Sequence, residues 1–243
     1  LSCSKKLYEM DQEKYDYRLG FSSYKLASFY RNAIGCALYG PNPKELSDVE
    51  QKIFQIMEIN YNNAIACTMS NTKKGLLKYV ELHATCMNEL AVAYCAVGNY
   101  SSALTVAKDG THLDLTIYEN VKDKAHCFLC GNRLNTHAMI HMIVKNYSNS
   151  SQLLEKSIEV LNDYKDEEPI TFGILLGKNY LALGNCYCQM IEKYPLAANA
   201  YQSGLDYMEN VNVKTNHAIV YDLISSYVIV GDYYRRQNQK ETA

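Results

Sequence analysis

The chain is expected to be all-α, a stack of antiparallel helical hairpins, and three observations lead there. Across residues 178–208, Tyr180, Leu183, Gly184 and Tyr187 fall three and four positions apart, which puts them on one face of a helix. Pro195 marks a restart, and Ala197, Tyr201 and Gly204 repeat those steps on a second helix, with small residues where two backbones can come close. The same offsets return at Met87, Leu90, Ala91, Tyr94, Gly98, Tyr100, Ala103, Ala107 and Gly110. Finally, no run with a period of two is long enough to build a sheet.

Taken in order, residues 1–11 are polar and expected to fray. Tyr15, Leu19, Tyr24, Ala27, Tyr30, Ile34 and Ala37 keep helical spacing, so a helix or helix pair is predicted over Gln12–Leu38 with Gly20 as its weak point. Gly40-Pro41-Asn42-Pro43 breaks the chain. Ser47-Asp48-Val49-Glu50 reads as a capping box, which starts a helix at about Asp48 that should run to about Thr68. Ser70-Asn71-Thr72 is expected to turn, and Leu76, Leu77, Val80, His83, Ala84, Met87 and Leu90 then form one long amphipathic stripe reaching Tyr94. Ser101 is the expected cap of the following helix, which extends towards Tyr118. Further helices are predicted over Val121–Ile143, Ser151–Tyr164 and, after the break at Asp166-Glu167-Glu168-Pro169, Ile170–Ile191.

Two weaker copies of the pattern complete the series. Leu134, Ala138, His141, Tyr147 and Leu154 form a worn copy in which Lys145 replaces the turn glycine, and Val220, Leu223, Tyr227, Gly231 and Tyr233 give half of another. These residues resemble the tetratricopeptide repeat, whose Trp-x2-Leu-Gly-x2-Tyr signature is matched by Tyr180, Leu183-Gly184 and Tyr187. The resemblance implies a right-handed superhelix of antiparallel hairpins, with repeats at 76–119, 120–165, 170–210 and 214–243. Residues 1–75 would then be diverged N-terminal helices of the same solenoid, without the Leu-Gly signature. The Tyr94 position returns at 141, 187 and 227, steps longer than the roughly 34 residues usual in the family, so longer helices or turns are expected.

Composition narrows the function. A net charge of −2 and a pI near 6.3, with no basic stripe, argue against nucleic-acid binding by this segment. No apolar run approaches the length of a membrane span. Nine cysteines, odd in number and scattered, read as reduced cytoplasmic thiols. Tyrosine is abundant at 22 residues while tryptophan is absent, which suits thin helical layers where rings pack and hydroxyls stay wet. Beginning at Leu1 instead of Met, the chain is expected to be an excerpt of a longer protein or a trimmed form. There is no Gly-rich phosphate loop, nucleophile elbow or HExxH, so neither catalysis nor a cofactor is expected. Asp166, Glu167 and Glu168 read as a solvated helix start.

The sharpest chemical motif is Cys127-x2-Cys130 followed by His137-x3-His141, four good zinc ligands. On one continuous helix Cys127 and His141 would be about 21 Å apart at 1.5 Å per residue, so a shared ion needs a real turn at Gly131-Asn132. Packing of all four in a worn repeat is the favoured reading, and no metal is expected.

In the repeat family the first helices of successive hairpins line a concave wall that binds peptide or protein. By that resemblance the inward residues are Asn88, Val92 and Cys95, then Asn132, Asn135, Met139 and Met142. The later repeats add Lys178, Leu181, Asn185 and Gln189, followed by Tyr221 and Ser225. An amide offers both a donor and an acceptor, so a ladder of asparagines could hold an extended backbone whatever its sequence. Long repeats, many tyrosines and these asparagines resemble the sensor domains of bacterial peptide-pheromone regulators of the RRNPP group, which implies a short signalling peptide and quorum-sensing control of transcription. Those regulators carry a DNA-binding helix-turn-helix or a helical bundle ahead of the repeats, and no helix-turn-helix is evident here. The alternative is an assembly scaffold or the repeat tail of a larger signalling ATPase; a zinc-dependent module is a third. The expected partner is a peptide or protein, and a homodimer is compatible with the sequence.

Overall fold

The computed structural model describes residues 2–35, 43–210 and 217–241. Among them every regular element is helical: α1 Ser2–Ile34, α2 Asp48–Lys73, α3 Leu77–Ala96, α4 Tyr100–Val121, α5 Lys124–Ile143, α6 Tyr147–Asn162, α7 Pro169–Cys188, α8 Ala197–Asn210 and α9 His217–Glu241, with a 3-10 turn at Ile191–Leu196. The chain divides into two compact units, residues 1–122 and 123–243. The boundary expected between 75 and 76 falls at Gly75, inside the first unit.

In the first unit, α1 and α2 are antiparallel. Gly20 lies against Cys67 and Thr68, whereas Ser28, further along α1, meets Tyr61, further back on α2. Gly20 is therefore a close approach between helices, where a Cβ would lie 3.3 Å from the Cβ of Cys67, and not a weak point. Helix α3 runs antiparallel to α2, since Thr68 meets His83 and Tyr61 meets Glu89. It is parallel to α1, since Tyr17 stacks edge-on against Tyr79 while Ser28 reaches Glu89. Helix α4 folds back on α3, with Asn88 bonded to Asp114 and Val80 and Ala84 packed around Ile117. Each helix thus meets the next antiparallel and, for α1 and α3, the next but one parallel.

The second unit repeats this scheme. Ser150 and Ser157 on α6 donate to the carbonyls of Ala138 and Gly131 on α5, at 2.8 and 2.7 Å, which makes that hairpin antiparallel. Both serines are fully buried. Serine thus takes the small-residue role that alanine and glycine play elsewhere, with each hydroxyl satisfied by a helix carbonyl. Helix α7 lies parallel to α5, as Phe128 meets Phe172 and Asn135 meets Asn179. Helices α7 and α8 close tightly on small residues: a Cβ on Gly184 would lie 2.6 Å from the Tyr201 ring, and one on Gly177 2.9 Å from Met208.

Several local expectations are corrected. A helix begins at Ser2, within the stretch expected to fray. Ser70-Asn71-Thr72 is helical, because Thr68 and Asn71 are buried, and the chain instead turns at Gly75 with φ 72°. The cap of α4 is Asn99, not Ser101: its side chain accepts from the Ser102 amide. The capping box at Ser47 and Glu50 is formed as expected. Residues 36–42, with most of the expected breaker, lie outside the described residues.

The two turns of the middle hairpins are the same turn built from different residues. Gly98 has φ 82° and Lys145 φ 61°. Each is followed by an asparagine that caps the next helix, Asn99 or Asn146, and then by a tyrosine. The backbone bonds match as well, with the Asn99 amide donating to Tyr94 and the Asn146 amide to His141. Lysine in the worn copy therefore adopts the left-handed conformation that glycine supplies without strain.

Candidate functional site

In the second unit a cavity of about 560 Å³ opens where the ends of its helices meet. Helix α7 contributes Asn185, Cys188 and Gln189, and α9 contributes Ile229, Asp232, Tyr233 and Arg236. Steps of three and four place each set on one helix face. Met142 closes it from the end of α5, and Tyr147, Tyr194 and Tyr201 come from the α6 start, the 3-10 turn and α8. That volume lies within the range of about 300–1,000 Å³ typical of small-ligand sites.

Its polar groups are ordered. Tyr201 donates to Asn185 Oδ1 at 2.8 Å, and Cys188 Sγ lies 3.5 Å from the same hydroxyl. Burial, and then the contact with Cys188, push the Tyr201 phenol well above its ordinary range, so it stays a neutral donor. The bond takes one of the two Oδ1 lone pairs, so the Asn185 amide keeps its two N–H donors and one acceptor position. The Tyr233 ring centroid lies 5.0 Å from that of Tyr201 and 6.2 Å from that of Tyr194, forming a continuous aromatic wall. Tyr194 is in turn held by a contact with Gln237. Asp232 is bound by Arg235 at 2.9 Å. Arg236 is exposed and makes no ion pair among the described residues.

Of the inward residues expected from sequence, Met142, Asn185 and Gln189 line the cavity. Others are placed elsewhere. Asn88 is buried between α3 and α4, where its Nδ2 donates to Ala84 and, at 2.9 Å, to Asp114. Cys95 is buried too, and burial pushes its thiol up to about 11. Asn135 bonds Asn179, a fully buried residue that passes the chain on to Ser157 and the Gly131 carbonyl. That amide is spent on joining α5, α6 and α7. Asn132 and Lys178 are exposed and Met139 is half-buried, none of them on the cavity. Tyr221 is in α9, but its side chain is outside the described residues. Tyr147, Tyr194, Asp232, Tyr233 and Arg236 were missed as site residues; the 229, 232, 233, 236 spacing was the available signal.

The cysteine–histidine set does not converge. Helix α5 continues unbroken through Gly131-Asn132, so the turn that a shared ion requires is not made. The Cys127 thiol donates to the Val160 carbonyl at 3.1 Å, and burial pushes it up to about 12. Cys130 is fully buried, and His137 and His141 stack with ring centroids 5.0 Å apart. Among the described residues no three His, Cys, Asp or Glu side chains are grouped to hold a metal.

In the first unit, Glu89 gathers several donors. Tyr61 and Ser28 donate to it, Tyr24 reaches it at 3.3 Å, and Arg31 Nε stands 3.3 Å away as an ion-pair partner. This network ties α1, α2 and α3 together. No helix among the described residues is long and apolar enough to cross a membrane. Compared with known proteins, the chain matches no family model and no curated protein.

Proposed function

We propose that this chain is a non-enzymatic peptide-binding module, built from tetratricopeptide-type hairpins with a right-handed superhelical winding inside each unit. The observation that carries the reading is the cavity to which α5, α7 and α9, the first helices of successive hairpins, contribute most of the lining, with Tyr147, Tyr194 and Tyr201 added from the segments between them. Its amides, phenols and guanidinium suit a peptide backbone, while its one carboxylate among the described residues is held by Arg235. The sharper form of this reading is the sensor domain of a bacterial transcriptional regulator; only one of the four groove asparagines, Asn185, supports it at the cavity. A scaffold is the second reading, favoured by Tyr15, Leu19, Leu26 and Phe29, which are 61, 44, 43 and 66% exposed along α1.

The test is titration of the full chain with a panel of short peptides by calorimetry. Binding that Asn185→Ala weakens by about 1–3 kcal/mol supports the module. Peptide binding indifferent to Asn185 removes the cavity from the reading. A scaffold would ignore every short peptide and retain a folded protein.

A further inference from the structure

Resting on the reading of this cavity as a peptide site, we infer that it receives the C-terminal residue of the peptide, with the free carboxylate on Arg236 and an aromatic or large apolar side chain against the tyrosine wall. Size sets the first limit. At about 560 Å³ the cavity holds a drug-sized body, which a chain end fills more readily than a strand running through.

Charge sets the second. Asp232 and Arg236 are the lining residues that carry full charge, and Asp232 is paired with Arg235 at 2.9 Å on the exposed rim. Together the three side chains carry one net positive charge. A protonated amino terminus would meet it unfavourably, whereas a carboxylate could take two parallel bonds from the guanidinium fork.

Hydrogen-bond polarity sets the third limit. Tyr201 takes one of the two Asn185 Oδ1 lone pairs, so the donors of that residue outnumber its remaining acceptor position. With the Gln189 amide beside it, this edge of the cavity can satisfy the carbonyls of the last residues of a chain. The lining also includes Met142 and Ile229 with the rings of Tyr194 and Tyr233, a surface for an apolar or planar side chain.

The probes are acetyl-Ala-Ala-Phe with a free carboxylate, the same peptide as its C-terminal amide, and N-acetylphenylalanine, each titrated into the full chain by calorimetry. The free acid should bind at least about tenfold more tightly than the amide, the worth of one charge-assisted contact. Arg236→Gln, on an exposed site, should bring the acid to the level of the amide, with the acid losing more affinity than the amide does. N-acetylphenylalanine binding as well as the acid peptide would assign the site to free aromatic acids and overturn the peptide-end assignment. Equal binding of acid and amide overturns the inference and leaves the peptide-binding reading intact. If neither peptide binds, the inference falls, and the wider panel decides the reading separately.

Discussion

The Tyr187 hydroxyl donates to Glu155 at 2.8 Å, tying α7 to the second helix of the preceding hairpin. Tyr94 makes the same bond to Glu58 across α3 and α2, and Tyr227 to Glu209 across α9 and α8. These tyrosines were aligned by sequence as one repeat position, and in each case the partner is a glutamate on the helix just before. Tyr94 and Tyr187 are buried to within a tenth of full cover, while Tyr227 is half exposed. The fourth aligned position, His141, keeps a buried Nδ1 with no hydrogen-bond partner among the described residues.

Replacing Tyr94 by Phe removes this pin and leaves the ring in place. We expect a loss of about 0.5–1.5 kcal/mol, the net worth of one such bond, as read by urea denaturation. Tyr187→Phe should cost less, since Lys193 still holds Glu155 at 3.0 Å.

Alkaline pH tests the same groups together. Burial and the glutamate partner raise Tyr94 and Tyr187 above the ordinary tyrosine value of 10.0, and burial and Glu89 raise Tyr61. A phenol whose folded value is raised contributes stability that is complete below the unfolded value and is lost as pH climbs past it. The melting temperature should therefore fall above pH 10.0, with these phenolates appearing only as the helices unfold. Free titration of every tyrosine in a folded chain would refute it.

Gly184→Ala should be destabilising out of proportion to one methyl group. The new Cβ would lie 2.6 Å from the Tyr201 ring, and moving that ring strains the α7–α8 contact at a cost of about 1–3 kcal/mol. The same movement breaks the Tyr201–Asn185 bond, so peptide affinity should drop along with the melting temperature.

Lys145→Gly should stabilise the second unit. A left-handed lysine costs about 1–2 kcal/mol, and the greater freedom of glycine in the unfolded chain takes back about 0.4–1 kcal/mol. Thermal unfolding should show a small rise, and Gly98→Lys a larger fall, because its Cβ would also lie 2.9 Å from Pro43.

Thiol accessibility follows from the same packing. Cys127 and Cys130 are fully buried and Cys188 half-buried on the cavity. Brief alkylation of the folded chain, read by mass spectrometry, should label Cys188 well before Cys127. Zinc should neither protect Cys127 nor raise the melting temperature.

Much of the helical layout was legible because periodicity is local. The α7–α8 hairpin announced itself through Gly184, Tyr187, Tyr201 and Gly204, and the Ser47 capping box through four adjacent residues. Caps and turns were harder: Asn99 and Ser101 are both plausible at a helix start, and only the backbone path chooses between them. The asparagines were harder still. Asn88, Asn135 and Asn185 sit on three aligned helices, yet Asp114, Asn179 and Tyr201 claim them for different purposes, and each partner lies on another helix.

What the amino-acid order alone determined was the all-helical character, the alternation of helix and turn, and the small or aromatic residues that face a neighbouring helix. All of these repeat every three or four residues and need no knowledge of distant partners. The tertiary structure decided which polar side chains are spent inside the fold and which line the cavity. It did so because a hydrogen bond such as Asn135–Asn179 or Tyr201–Asn185 depends on how two helices are turned towards each other, and no local spacing encodes that rotation.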